Sequence, residues 1–251
     1  MSNKYTEVCQ KAMTHVSNGQ FEQAMSLLRP VAEHRDPHVL RVLYTIYSRP
    51  NSPLRDAQKA SSALDALVSL SDPWGLTEKG RCLLYGELYP VNVADAEDLL
   101  VRATSRSSDP KAEYYMGLIY ANGLHQVDGV GVFDKTEAKR IFATLSSTQS
   151  PYKDVADLQY CRLVIDDVDG MSMSERASLI IRLSALVEKG IEDAPFVYGK
   201  LLLSEISSLT ERVLSPASSG QTLREMMEQS SHVARVRNGI NVVASVFSPS
   251  K

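Results

Sequence analysis

The side chains best suited to chemistry are scattered along this chain. His15, His34, His38, His125 and His232 form no HExxH run and sit beside no cysteine at zinc-binding spacing. His15 falls where a first helical repeat would bury an aromatic, so a packed structural role is expected. Cys9, Cys82 and Cys161 make no CxxC pair, the pattern of buried free thiols in a reducing compartment. Gly123 with Gly129-Val130-Gly131 suggests a phosphate loop, but the stretch follows a helical pattern and lacks a GK[ST] triplet. Glycines supplying positive φ in a repeat turn are the better reading. Asp166-Asp167-Val168-Asp169-Gly170 hints at calcium, yet a calcium loop needs glycine at its sixth place and glutamate at its twelfth. Counted from Asp167, the sixth place holds Ser172 and the twelfth no glutamate. A capped interhelix turn is expected there. No GxSxG and no thiol-protease motif occurs. The reading is a non-enzyme with no catalytic residue, cofactor or metal.

What remains is a set of aromatic and cationic residues whose meaning depends on the elements that carry them. Those elements repeat. Asp36-Pro37, Asp72-Pro73, Asp109-Pro110, Ser150-Pro151 and Ala194-Pro195 place prolines 36, 37, 41 and 44 residues apart. An Asp or Ser before Pro caps the free amides of a helix, and Pro fits the first helical position because its missing N–H would be unpaired there. Helices are therefore predicted to begin within about two residues of 37, 73, 110, 151 and 194, with strand essentially absent.

A second register lies between these starts: Ala24/Leu27/Leu28/Val31, Ala60/Ala63/Leu64/Leu67, Ala96/Leu99/Leu100/Ala103, Ala138/Ile141/Phe142/Leu145 and Ala177/Ile180/Ile181, with an echo at Leu223/Met226/Met227. Its i, i+3, i+4, i+7 spacing is one face of an α-helix. The alanine lets two backbones approach, and Leu28, Leu64, Leu100, Phe142 and Ile181 are expected to be buried at equivalent places. First helices carry their own pattern, Ala112, Met116, Gly117 and Tyr120 in the fourth unit; the third unit departs from it with Lys79 at the large apolar place. Linkers such as Ser17-Asn18-Gly19 and Arg49-Pro50-Asn51-Ser52-Pro53 are helix stops and turns.

The stretch AEYYMGLIYANGLHQVDGVGVFDKTEAKRIFATL resembles the Sel1-like repeat of the TPR-like superfamily. Ala112, Met116, Gly117, Tyr120, Gly123, Gly131, Val132, Asp134 and Ala138 carry the match; Glu137 and the extra residues between Gly123 and Gly131 depart from it. The resemblance implies an all-α, right-handed α-solenoid of about six antiparallel helix pairs with a short C-terminal capping helix. One solenoid domain is expected over residues 1–236, with units starting near 4, 37, 73, 110, 151 and 194, then a cap and tail over 237–251, in which Gly239 to Phe247 would form the helix. The resemblance also implies a bacterial adaptor or scaffold, with an immunity protein neutralising a toxin, or a regulatory subunit of an enzyme complex, as alternatives.

In such folds the first helix of each pair lines the concave face. By offset, the partner-binding candidates are Arg41, Trp74, Thr77, Arg81, Lys111, Tyr114, Arg162 and Lys200, with Asp193 and Phe196 beside the last. Trp74 is the single tryptophan of the chain, and aromatic plus arginine is the composition that binding hot spots favour. A protein or peptide partner carrying carboxylates is expected. The 251 residues are 43% hydrophobic and 23% charged with a net charge of -3, which gives no basic excess for a nucleic-acid or membrane binder. The opening MSNKYTEVCQ has no basic segment leading into an apolar one, so a cytoplasmic protein without a signal peptide or membrane span is expected.

Overall fold

The computed structural model describes residues 5–127, 130–214 and 231–242. Its helices are α1 (Thr6–Ser17), α2 (Phe21–Leu28), α3 (Pro37–Ser48), α4 (Ala57–Ser69), α5 (Pro73–Tyr85), α6 (Val93–Arg106), α7 (Pro110–Ala121), α8 (Lys135–Ser147), α9 (Lys153–Ile165), α10 (Met173–Glu188), α11 (Ala194–Leu214) and α12 (231–242). Every predicted start falls within two residues of the observed one. The capping logic is visible at atomic level: Asp36 accepts the His38 amide, Asp72 the Gly75 amide and Asp109 the Lys111 amide. In the fourth start Ser150 accepts the Tyr152 amide, and Pro151 sits in a turn ahead of the helix.

The helices gather into two compact units, Met1–Asp134 and Lys135–Lys251. The boundary falls inside the stretch that resembles a Sel1 repeat. In the first unit consecutive helices pair, α1 with α2, α3 with α4 and α5 with α6. Ala24, Ala60 and Ala96 have no exposed surface, and neither do Leu28, Leu64 and Leu100. Helix α5 is squeezed from both sides. A Cβ on Gly75 would stand 2.5 Å from the Leu67 Cβ of α4, and one on Gly80 2.9 Å from the Leu100 Cγ of α6. Glycine is what allows that spacing. The departure at Lys79 also finds its reason: its ammonium bonds Asp65 at 2.6 Å and lies over the Tyr89 ring, so the long stem replaces an apolar side chain.

The second unit buries Ala138 and Phe142 in the expected register. In α10 Ala177 and Ile180 are buried as expected, but Ile181 is 58% exposed. Beside Ala177 the helix also buries Arg176, Leu179, Ile180 and Leu183, which have the same i, i+3, i+4, i+7 spacing begun one residue earlier. Arg176 thus heads a buried face of its own, next to the buried Ala177. Its guanidinium donates to Glu205 of α11 at 3.0 Å, and His232 Nε2 of α12 bonds the other oxygen of that carboxylate at 2.5 Å. Burial works against the charge on Glu205, but the bonds from His232 and Arg176 hold its carboxyl below the usual range. Helix α12 begins eight residues before Gly239 and packs tightly, since a Cβ on Gly239 would meet the Tyr198 hydroxyl at 2.1 Å. The expected helix through Phe247 and the echo at Leu223, Met226 and Met227 lie outside the described residues.

The glycine-bearing stretch after α7 is a β-hairpin and not a simple turn: β1 (His125–Val127) runs antiparallel to β2 (Val130–Val132), with His125 opposite Val132. Gly123 takes φ +65, and Gly131 passes so close to the Gly123 carbonyl that a Cβ would stand 2.5 Å from its oxygen. Among the described residues no helix is long and apolar enough to cross a membrane.

Candidate functional site

The first helices α3, α5 and α7 bring six of the eight candidates onto neighbouring positions of the first unit. At the centre is a carboxylate that the spacing argument did not single out, Glu78. It is buried and accepts from the Tyr44 hydroxyl at 2.9 Å, from Arg81 at 2.9 Å and from Lys111. Burial opposes its charge, yet the bonds from Arg81 and Lys111 outweigh that penalty and lower its pKa. Arg81 reaches past it to Glu87 at 2.7 Å. Burial and the neighbouring Glu78 push the Tyr44 hydroxyl well above its ordinary value, so it stays a neutral donor.

Around this hub the aromatic residues are held edge to face. Tyr44 and Trp74 have ring centroids 5.5 Å apart, and Arg41 lies 5.8 Å over the Trp74 ring. Arg41 also grips Asp72 through Nε at 3.1 Å and through Nη2. On α7, Tyr114 stacks edge-on with Tyr115, which in turn meets the exposed Tyr85. Thr77 is different. It has no exposed surface, and its hydroxyl donates to the Asp109 carboxylate at 2.7 Å. Its offset matches that of Arg41 one unit earlier, and both reach the next capping aspartate.

Arg162 and Lys200 belong to the second unit. With Ile165, Asp166, Phe196 and Val197 they line a cleft of about 170 Å³ between α9 and α11. Arg162 bonds Asp193 at 2.8 Å, and Lys200 bonds Asp166 at 2.9 Å.

The cations expected to face a partner therefore already have carboxylates: Arg41 has Asp72, Lys111 has Glu78, and Arg81 has both Glu78 and Glu87. Sequence spacing showed the cations but not these acids, although Asp72 and Asp109 were in view as caps. The signal that would have paired the two capping aspartates is a polar residue 31 or 32 places before each, as Arg41 stands to Asp72 and Thr77 to Asp109; no such spacing marks Glu78 or Glu87.

The remaining chemical candidates resolve structurally. Asp167 of the supposed calcium loop is held by Lys135 and Lys139 at 2.6 and 2.7 Å, and those bonds draw its pKa down to about 2. Among the described residues no group of three His, Cys, Asp or Glu could hold a metal. His15 is half-buried and bonds Gln20 instead of packing as a core aromatic would. All three thiols are buried, and burial pushes that of Cys161 up to about 12.

No family model matches the chain, and no curated protein matches it. Among solved structures, the crystal structure of a Sel1 repeat protein from Oxalobacter formigenes is similar, with a TM-score of 0.59 at 16% identity over 76% of this chain and 72% of that one. The fold is a Sel1-type α-solenoid. Within a Sel1-type fold the buried alanines and the paired helices have a direct reading: each pair is one packing unit whose apolar face is covered by its neighbours. The ion pairs between first helices add a polar seam along the same succession.

Proposed function

We propose that this chain is a non-enzymatic scaffold or adaptor that binds a protein or peptide partner on the first-helix surface of its first unit. The observation that carries this reading is the half-buried Trp74, fixed between Tyr44 and Arg41 beside the Arg81–Glu78–Lys111 cluster. Aromatic and arginine groups held in fixed rotamers lose little entropy on binding, which is what concentrates binding energy at a few residues. The cations retain unused donors. A guanidinium has five N–H groups and an ammonium three, and Arg41 spends only two of its nitrogens on Asp72. A partner segment with an apolar anchor for Trp74 and Tyr114, and carboxylates for Arg41 and Lys111, fits this surface. Since the local carboxylates balance the local cations, selection would come from hydrogen-bond geometry more than from long-range attraction.

The test is affinity capture with the full chain, followed by titration of the captured partner with Trp74→Ala, Tyr114→Ala and Val101→Ser. Val101 is exposed on the second helix of its pair. Loss of affinity by about tenfold or more in the two aromatic variants, with Val101→Ser unchanged, is expected. Full binding by both aromatic variants would move recognition elsewhere.

A further inference from the structure

Helix α11 turns an apolar face outward. Phe196 is 73% exposed and Leu203 67%, and a seven-residue interval sets them one above the other on the same side of a helix. Gly199 and Lys200 lie between them on that side.

Among the described residues Gly199 has no internal explanation. Glycine in the middle of a helix is unfavourable relative to alanine. At Gly75 and Gly80 the cost has a reason, because a Cβ would collide with Leu67 or Leu100. At Gly199 nothing among the described residues stands within 4 Å of where a Cβ would be, and its φ is not positive. A bare backbone between two exposed apolar side chains is what close approach from outside the chain requires.

The charges around this face identify the visitor. Arg162 and Lys200 supply two cations, and Asp193 and Asp166 two carboxylates, all on the rim of the Ile165/Val197 cleft or next to it. Their side chains are between 37% and 63% exposed. A patch of one sign would select an oppositely charged partner and repel its own copy. A twofold contact places the same patch on both sides, so that residue i meets j and j meets i. Equal numbers of both signs around an apolar centre satisfy that condition.

We propose that the outer face of α11, Phe196, Gly199 and Leu203 with the flanking Arg162, Lys200, Asp166 and Asp193, is where a second copy of this chain docks. The site is distinct from the surface around Trp74, so its failure would leave the scaffold reading untouched.

The experiment is light scattering and sedimentation of the full chain from low to high micromolar concentration, with helicity and melting followed in parallel. Wild type should dimerise, and Phe196→Glu and Leu203→Glu should be monomeric with native helicity. Gly199→Leu separates this role from a structural one: it should raise the melting temperature of the monomer, since a helix-interior glycine is lost, while weakening the dimer by at least about tenfold. A wild type that stays monomeric at every concentration overturns the proposal, as does a dimer that survives both glutamate variants. Should those variants lose helicity, an undiminished dimer in Gly199→Leu overturns it equally.

Discussion

Arg41 and Asp72 join two successive helix pairs through a carboxylate that already has work to do. Asp72 Oδ1 accepts the Gly75 amide at the start of α5, while Arg41 of α3 donates to the same carboxylate from Nε and Nη2. Thr77 and Asp109 repeat the arrangement one unit on, and Arg162 reaches Asp193 at the start of α11 over the same 31-residue interval as Arg41 to Asp72. At Asp72 and Asp109 the capping aspartate is thus also a latch to the preceding first helix.

The latch should be measurable as coupling. Asp72→Ala should cost about 2–3 kcal/mol, about 1 from the lost cap and the rest from charged hydrogen bonds. Arg41→Met and Asp72→Asn, combined in a double-mutant cycle by urea denaturation, should show a coupling energy of about 1–2 kcal/mol. Strict additivity would mean that the pair contributes geometry without stability. Asp56→Ala, a cap whose carboxylate bonds Lys59 of its own helix, should lose only about 1 kcal/mol.

Glu78 should give the fold an acid-sensitive component. Its folded pKa is lowered from 4.5, so the stabilisation is complete above that value and is lost as pH falls through the depressed folded pKa. Stability measured against pH should therefore fall in that acidic window, and Glu78→Gln should flatten the slope there. At neutral pH the same substitution should cost about 3 kcal/mol, because Lys111 and Arg81 lose a buried partner. An unchanged acid slope would place the titration elsewhere.

The slipped register of α10 predicts opposite outcomes for similar truncations. Leu64→Ala and Leu100→Ala should each cost about 2–5 kcal/mol, since both side chains are fully buried. Ile181→Ala should lie within about 0.5 kcal/mol of wild type, as exposed substitutions do. Thermal or urea unfolding of the three variants settles the register.

The Arg176–Glu205–His232 chain should behave as a buried charge network. Arg176→Ala should destabilise the second unit by about 3 kcal/mol, because Glu205 would be left underpaired. Adding Glu205→Leu should recover much of the loss, since a buried pair replaced by apolar groups is often neutral. Failure of the second change to rescue the first would show that His232, whose buried Nδ1 has no partner among the described residues, depends on Glu205 for its own place.

The local signals were sufficient for most of the helices. Asp-Pro pairs set the starts of α3, α5 and α7, and the alanine register marked Ala24, Ala60, Ala96 and Ala138 as buried, because capping and helical periodicity are properties of a few consecutive residues. The paired strands His125–Val127 and Val130–Val132 were hidden because glycines such as Gly123 and Gly131 suit a repeat turn as well as a close strand approach. In α10 the sequence offered two overlapping faces, one starting at Ala177 and one at Arg176, and periodicity alone cannot rank them. Tertiary structure chose the second, since Glu205 and His232 arrive from α11 and α12 to satisfy an arginine that no local rule would bury. The surface around Trp74 divides in the same way. Its aromatic and cationic members follow from offset along the first helices, whereas the pairing of Arg41 with Asp72, or Lys111 with Glu78, joins residues more than thirty positions apart. Only the stacking of one helix pair on the next brings such charges within bonding distance, and that stacking decides which of them remain for a partner.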